Sequence, residues 1–366
     1  MTGLVTMKKI LMVAVEAKPY ATAGGTSDVV GALSGALREK GYDVRLVLPY
    51  YSAIIRAPRF RTERLADLEV PVGSEPVQAS VYRDDRNTYL IGSDPFGYFA
   101  QAGQGNVPVY PTLEDRSVEA GELYAFFCRA ALELARRLRD DGWQPDFVHC
   151  HDWPTGLVPA YLKLDPPDPA HPEGSRVAFT VHNMSDIVYQ GGWFGPELLG
   201  YAGLPRRLFD DGQVRHQGRV NFIKAGIVFS DRVNTVSEGY AREIYSGTAE
   251  SFVTLDGTRK QFKCSGGLDR VWSEHDVNLI GIRNGIDDSY DPAQIGDGED
   301  WQLVDDDWKS SYAPEGGQSI AGWAYSTVDP HLLRKKRDLK CYLQERCNQI
   351  LKTRLEVSAE IPVIAV

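Results

Sequence analysis

The sequence predicts an α/β protein built on a doubly wound parallel sheet, and three observations lead there. The run Lys9–Val15 is apolar and β-branched, a helical pattern follows at Ser27–Lys40, and a second apolar strand returns at Asp43–Leu48, so strand, helix and strand fit within about 45 residues. These strands are apolar at almost every position rather than alternately, as expected of strands covered on both faces. The same rhythm recurs downstream, and repeated βαβ units build a parallel sheet with helices on its two sides.

Taken in order, the first helix places Val29, Val30, Leu33 and Leu37 on one face. Between Leu68 and Ile91 the pattern loosens into short alternating runs, which predicts an inserted hairpin. The stretch "FGYFAQAGQGNVPVYP" reads as a long surface loop, a type that is commonly functional. The helix "GELYAFFCRAALELARRLRD" then leads through "GWQP" into a strand at Asp146–Cys150. A strand at Arg176–Val181, a helix "NFIKAGIVFS", a strand "RVNTVS", a helix "EGYAREIYS" and a strand at Asn278–Ile282 complete the series. Beyond Pro292 the acidic segment "AQIGDGEDWQLVDDDW" reads as a linker, followed by the long helix "LLRKKRDLKCYLQERCNQILKTR". The closing run Pro362–Val366 looks like the first strand of another βαβ unit, because a parallel neighbour needs a crossover of a dozen or more residues. The expected organisation is one domain over residues 1–293, with 294–366 as linker, helix and first strand of a truncated second domain.

Composition narrows the function. A chain of 366 residues suits two domains, and its 43% hydrophobic and 25% charged residues are those of a soluble globular protein. No run approaches the ~18–20 apolar residues of a membrane span. Glu16 and Lys18 cut the run in "MTGLVTMKKILMVAV", which therefore reads as a first strand rather than a signal peptide. A net charge of -10 argues against a nucleic-acid partner, since phosphate backbones select for Lys and Arg excess. Cys128, Cys150, Cys264, Cys341 and Cys347 form no Cys-x-x-Cys pair and read as reduced thiols of a cytoplasmic protein. His149-x-His151 has no third ligand at a supporting spacing, so neither a metal nor another cofactor is expected. A serine-hydrolase reading is weakened by the lack of a G-x-S-x-G elbow.

In open α/β sheets ligands bind beyond the carboxyl ends of the strands, and polar residues gather at those exits here. They are Gly24, Gly25 and Asp28 after the first strand, then His151-Asp152-Trp153, His182-Asn183, Ser237-Glu238, and finally Asn284-Gly285-Asp287. The pair Gly24-Gly25 suggests that something approaches the backbone, yet its spacing fits neither the dinucleotide fingerprint nor the P-loop. Plainer readings stand beside the functional ones. Asp28 suits the positive end of a helix, Asp152 and Asn284 suit turns or caps, and His149 suits a hydrogen-bonded core position. His151 is open to either reading. His182 is the strongest single candidate, because a His-Asn pair after "AFTV" stands at the cleft mouth where packing would favour an aliphatic side chain.

Six segments, "GGTSDVVGALSGALREKGYDVRLVLPYY", "AFFCRAALE", "VHCHDWPTGLVPAYLK", "FTVHNMSDIVYQGGWF", "NFIKAGIVFSDRVNTVSEGYAREI" and "IGIRNGIDDSYDP", resemble in order the N-terminal half of bacterial glycogen synthases and plant starch synthases. The resemblance covers residues 8–293. It implies the N-terminal half of a GT-B glycosyltransferase with two Rossmann-like domains facing across a cleft. It also implies transfer of glucose from ADP-glucose or UDP-glucose to the non-reducing end of an α-1,4-glucan with retention. On that match Gly24 and Gly25 line the donor site with Asp28 beside it, and Asp152 and His182 fall near the transferred sugar as the catalytic pair. Asn183 joins the substrate contacts, and Asn284 and Gly285 belong to the loop at the domain junction. Two positions depart from the family pattern. The loop usually reads Lys-x-Gly-Gly and here has Thr22, and His-Asp-Trp is commonly followed by His and here by Pro154.

The partners implied are a sugar nucleotide and an α-1,4-glucan, with no nucleic acid and no membrane. A noncatalytic glucan-binding or regulatory protein derived from the synthase is the alternative, motivated by the missing lysine. A dehydrogenase is the weaker third reading, since the first turn lacks the dinucleotide fingerprint.

Overall fold

Leu11, Met12 and Val13 expose no surface at all, so the first strand, β1 (Lys9–Val13), is covered on both faces as its apolar sequence requires. Each such side chain removed from water contributes roughly 1.5–3 kcal/mol, which makes this strand the natural centre of the fold. The computed structural model describes residues 7–57, 59–93, 118–164, 174–184, 193–253 and 259–285.

Around β1 the strands β2 (Asp43–Pro49), β3 (Thr62–Val70), β4 (Val77–Asp84), β5 (Thr88–Gly92), β6 (Phe147–His151), β7 (Arg176–Val181), β11 (Arg232–Thr235) and β14 (Leu279–Gly281) form one nine-stranded sheet in the order β14-β11-β7-β6-β1-β2-β5-β4-β3. From β14 to β5 every neighbouring pair is parallel. At the other end β4 runs antiparallel to both β5 and β3. The expected doubly wound α/β sheet is present, and the expected insertion is a three-stranded antiparallel extension of it. The β3 strand, "TERLADLEV", hides in the sequence because it is an edge strand whose charged side chains stay in water and guard it against further pairing.

Several elements fall where the pattern puts them: the helices Gly25–Glu39, Val118–Asp140, Phe222–Phe229 and Glu238–Ser246. Two small pieces have no counterpart in the sequence reading. They are a three-stranded sheet of β8 (Trp193–Phe194), β9 (Arg215–His216) and β10 (Arg219–Asn221), and a hairpin of β12 (Ala249–Val253) and β13 (Arg259–Lys263). Strands of two or three residues carry too little periodicity to be seen.

The chain leaves β1 toward β2 and β5, then returns through helix Val118–Asp140 to lay β6 on the opposite side of β1. The winding direction therefore reverses between β1 and β6, and that reversal opens a crevice beyond the strand ends. All described residues belong to one compact unit, Met1–Gly285. The expected loop at 96–111 and the linker, helix and strand expected over 294–366 lie outside the described residues. Among the described residues no helix is long and apolar enough to cross a membrane.

Candidate functional site

The crevice is built from the exits of β1, β6 and β7. Beyond β1 the chain runs through a loop to helix Gly25–Glu39, held from below by Glu16. This carboxylate is fully buried, and its Oε2 accepts hydrogen bonds from the amides of Ala23 at 2.7 Å and Gly24 at 2.9 Å. The helix packs hard on the same loop, for a Cβ at Gly31 would sit 2.5 Å from the Lys18 carbonyl oxygen. Gly24 and Gly25 are different. A Cβ on either meets no atom within 4 Å, and Gly24 is extended at φ -163°. Neither the backbone angles nor the protein's own packing demands glycine there, so the space above the loop is open. Thr22 is exposed beside it. Lys18, the loop's own lysine, places Nζ 2.5 Å from Asp28.

The β6 exit bends sharply. Asp152 has φ 59° and ψ 175°, a conformation costing a non-glycine residue on the order of 1–3 kcal/mol, and it is fully buried. Its amide donates to the Thr180 carbonyl at 2.9 Å. Its Oδ1 accepts from the His182 amide at 2.9 Å and the Asn183 amide at 3.4 Å, tying the exits of β6 and β7 together. Its Oδ2 has no hydrogen-bond partner among the described residues, although Thr26 stands near enough to favour the charged form. Burial pushes the Asp152 carboxyl up to about 7, against the two amides that favour its charge, with the neighbouring Glu16 adding to the rise. Trp153 turns inward and packs edge-on against Tyr124, so the aromatic member of this motif is core.

Three imidazoles follow. His149 Nε2 lies 2.8 Å from Thr180 Oγ1, whose own proton goes to Asn234 Oδ1 at 2.8 Å. His149 is thus the donor. His151, buried at the end of β6, packs against His149 with ring centroids 4.2 Å apart and planes tilted by 36°, and places Nδ1 3.0 Å from Nε2 of His182. Burial pushes His149 down to about 4 and His182 down to about 3, and holds His151 well below its ordinary value. All three are neutral at pH 7, so the cluster offers hydrogen bonds rather than charge.

At the next exit Ser237 caps helix Glu238–Ser246 by accepting from the Tyr240 amide at 3.0 Å, and the Tyr240 hydroxyl accepts from the Met184 amide at 3.0 Å. Asn284 and Gly285 are exposed after β14, with the Asn284 amide 3.3 Å from the Val236 carbonyl. The structure therefore brings Gly24, Asp152, His182 and Asn183 into one linked frame and leaves Asn284 and Gly285 at the far side of the sheet. Asp287 lies outside the described residues.

A family model described as the starch synthase catalytic domain matches residues 9–260, more than half of the chain. The chain belongs to the starch synthase catalytic domain family. The glycogen synthase of Geotalea daltonii is 34% identical over 290 residues, which is 78% of this chain and 54% of that protein. That of Thermotoga maritima is 34% identical over 289 residues, again 78% and 54%. The catalytic domain of starch synthase IV from Arabidopsis thaliana, bound to ADP and acarbose, superposes with a TM-score of 0.65 at 26% identity, covering 94% of this chain and 60% of that one. The chain spans about half the length of the curated relatives it matches.

Within this starch synthase family member, sequence reasoning missed Glu16, noticed only as a break in an apolar run. A lone acidic residue ending an apolar strand eight residues before a glycine pair was the available signal. It also missed the Thr180–Asn234 pair and Tyr240, which only folding brings to the site. Among the described residues no group of three His, Cys, Asp or Glu could hold a metal ion.

Proposed function

We propose that this chain supplies one face of a glucan synthase site, where glucose passes from ADP-glucose or UDP-glucose to the non-reducing end of an α-1,4-glucan with retention at the anomeric carbon. The observation that carries the reading is the open glycine loop beside a strained, buried aspartate and a neutral histidine, at the point where the sheet reverses its winding. A starch synthase catalytic domain bound to ADP and acarbose shares the fold, which supports a sugar nucleotide and a glucan as partners.

Each residue takes a physical role. Gly24 and Gly25 let the donor's diphosphate and sugar lie against the backbone, and Thr22 and Asp28 border that surface. The Ala23 and Gly24 amides are already committed to Glu16, so the backbone's offer to an anion comes from the first turn of the helix. Retaining transfer passes through an oxocarbenium-like state, which calls for oriented hydrogen bonds more than a strong base. His182 and Asn183 contact the sugar, and Asp152 fixes both through their amides. Asn284 and Gly285 serve the junction with a second, nucleotide-binding domain that begins within 294–366. Cys128 and Cys150 are free thiols buried in the core, in keeping with a cytoplasmic setting.

Glucose incorporation into glycogen from each sugar nucleotide, measured on the protein carrying both domains, tests the reading. Incorporation from at least one donor is expected, and saturable quenching of tryptophan fluorescence by maltooligosaccharides is expected of this chain itself. One observation favours a second reading, a noncatalytic glucan-binding protein: Thr22 carries no charge, and Lys18 is held by Asp28. Glucan binding with no incorporation from either donor decides for that alternative.

A further inference from the structure

The contact between His151 and His182 contains one proton and two ways to place it. With both rings neutral and Nδ1 of His151 3.0 Å from Nε2 of His182, one nitrogen donates and the other accepts. If His182 donated from Nε2, the remaining proton of His151 would sit on its own Nε2. That atom is buried and has no partner among the described residues. A buried N–H without an acceptor is rarer and costlier than a bare acceptor nitrogen, so the opposite arrangement is favoured. His151 then donates from Nδ1 and keeps a bare, buried Nε2, and His182, accepting at Nε2, carries its proton on Nδ1.

We infer that His151 is a positioning residue which, by donating to Nε2 of His182, fixes the proton of His182 on Nδ1, so that His182 presents an N–H donor to a hydroxyl oxygen of the bound sugar. The identity of that oxygen's owner rests on the function proposed above, whereas the tautomer does not. The surroundings agree. His182 is only half-buried, and no hydrogen bond to its Nδ1 is made within the described residues. His149 does not compete for the His151 proton: its own Nε2–H is committed to Thr180, and its contact with His151 is ring against ring, tilted by 36°, with no hydrogen bond between the two. Thr180 thus sets the proton of His149, and the His151–His182 contact sets the protons of the other two rings. A neutral donor of this kind recognises a lone pair without attracting an anion, which suits a polyhydroxyl ligand.

Two-bond nitrogen–proton correlation spectra of the chain labelled with 15N-histidine, recorded at pH 7, test this directly. The chain has seven histidines, and the His182 signals are identified by their loss in His182→Gln. The expected result is a His182 ring protonated at Nδ1 and bare at Nε2; protonation at Nε2 in the unaltered chain overturns the inference. In His151→Phe, which keeps a planar ring and removes the donor, His182 is expected to shift toward the Nε2–H form. In His151→Asn, whose amide nitrogen takes the place of Nδ1, the Nδ1–H form is expected to return. A folded His151→Phe protein in which His182 stays wholly Nδ1–H overturns the positioning role, and should that variant not fold, the unaltered chain and His151→Asn still decide. A sugar nucleotide or maltooligosaccharide that shifts the Nδ1–H proton supports the sugar contact; a proton moved by neither overturns the contact and leaves the tautomer standing.

Discussion

The Glu16 carboxylate lies beneath the Gly24 amide at 2.9 Å, closing the loop from the protein side while the opposite side stays open. The buried Glu16 carboxylate accepts from two backbone donors and so ties the loop to the end of the first strand.

Replacing that carboxylate removes the tie. Glu16→Ala leaves two amides without their acceptor, and hydrogen bonds to a charged group are worth about 1.5–3 kcal/mol. Urea unfolding of the chain is expected to show a loss of that order, and glucose transfer by the two-domain protein is expected to fall with it. A variant as stable as the parent shows that the clamp contributes nothing.

The glycines give the reverse pattern. Since an added Cβ at Gly25 meets no protein atom within 4 Å, Gly25→Ala is expected to leave stability within about 0.5 kcal/mol of the parent. Transfer from the sugar nucleotide is expected to drop through a higher KM for the donor. Unchanged donor kinetics mean that the loop is only a turn.

Titration of the buried cluster sets the acid stability. His182, His149 and His151 resist protonation when folded, so between about pH 6.5 and 4 the unfolded chain takes up protons that the folded one refuses, and stability falls as pH falls. Asp152 opposes this, because its folded carboxyl, raised to about 7, holds a proton that the unfolded chain releases above about 4, and its contribution falls as pH rises. Three groups against one leave a net loss of stability on acidification across this window. Urea midpoints are expected to drop on acidification across this window and more steeply in Asp152→Asn. A flat profile in both proteins contradicts the burial of these groups.

The cation missing from the loop can be restored. Thr22 is exposed and Lys18 is engaged by Asp28, so Thr22→Lys is expected to add a charge-assisted contact to the donor phosphate without disturbing the fold. If that contact strengthens as the diphosphate departs, kcat of the two-domain protein rises, by about tenfold per 1.4 kcal/mol gained. A rate unchanged by Thr22→Lys shows that no phosphate passes that point.

By itself the sequence determined the sheet and the places where a site could lie. Continuous apolar strands such as Lys9–Val13 and Arg176–Val181, each followed by a helix of matching period, admit few arrangements other than a covered parallel sheet, and polar residues right after them must sit at its carboxyl edge. Strand order, and with it which exits share a crevice, was decided only in three dimensions. Glu16 and Gly24, eight residues apart, meet through a loop whose course no periodicity encodes, and Asp152 reaches the His182 amide across 30 residues because β6 and β7 are neighbours. Burial was equally invisible. The formulas of Asp152 and His182 are those of any aspartate and histidine, and it is the exclusion of water by the packed strand ends that holds the first near neutrality and the second uncharged.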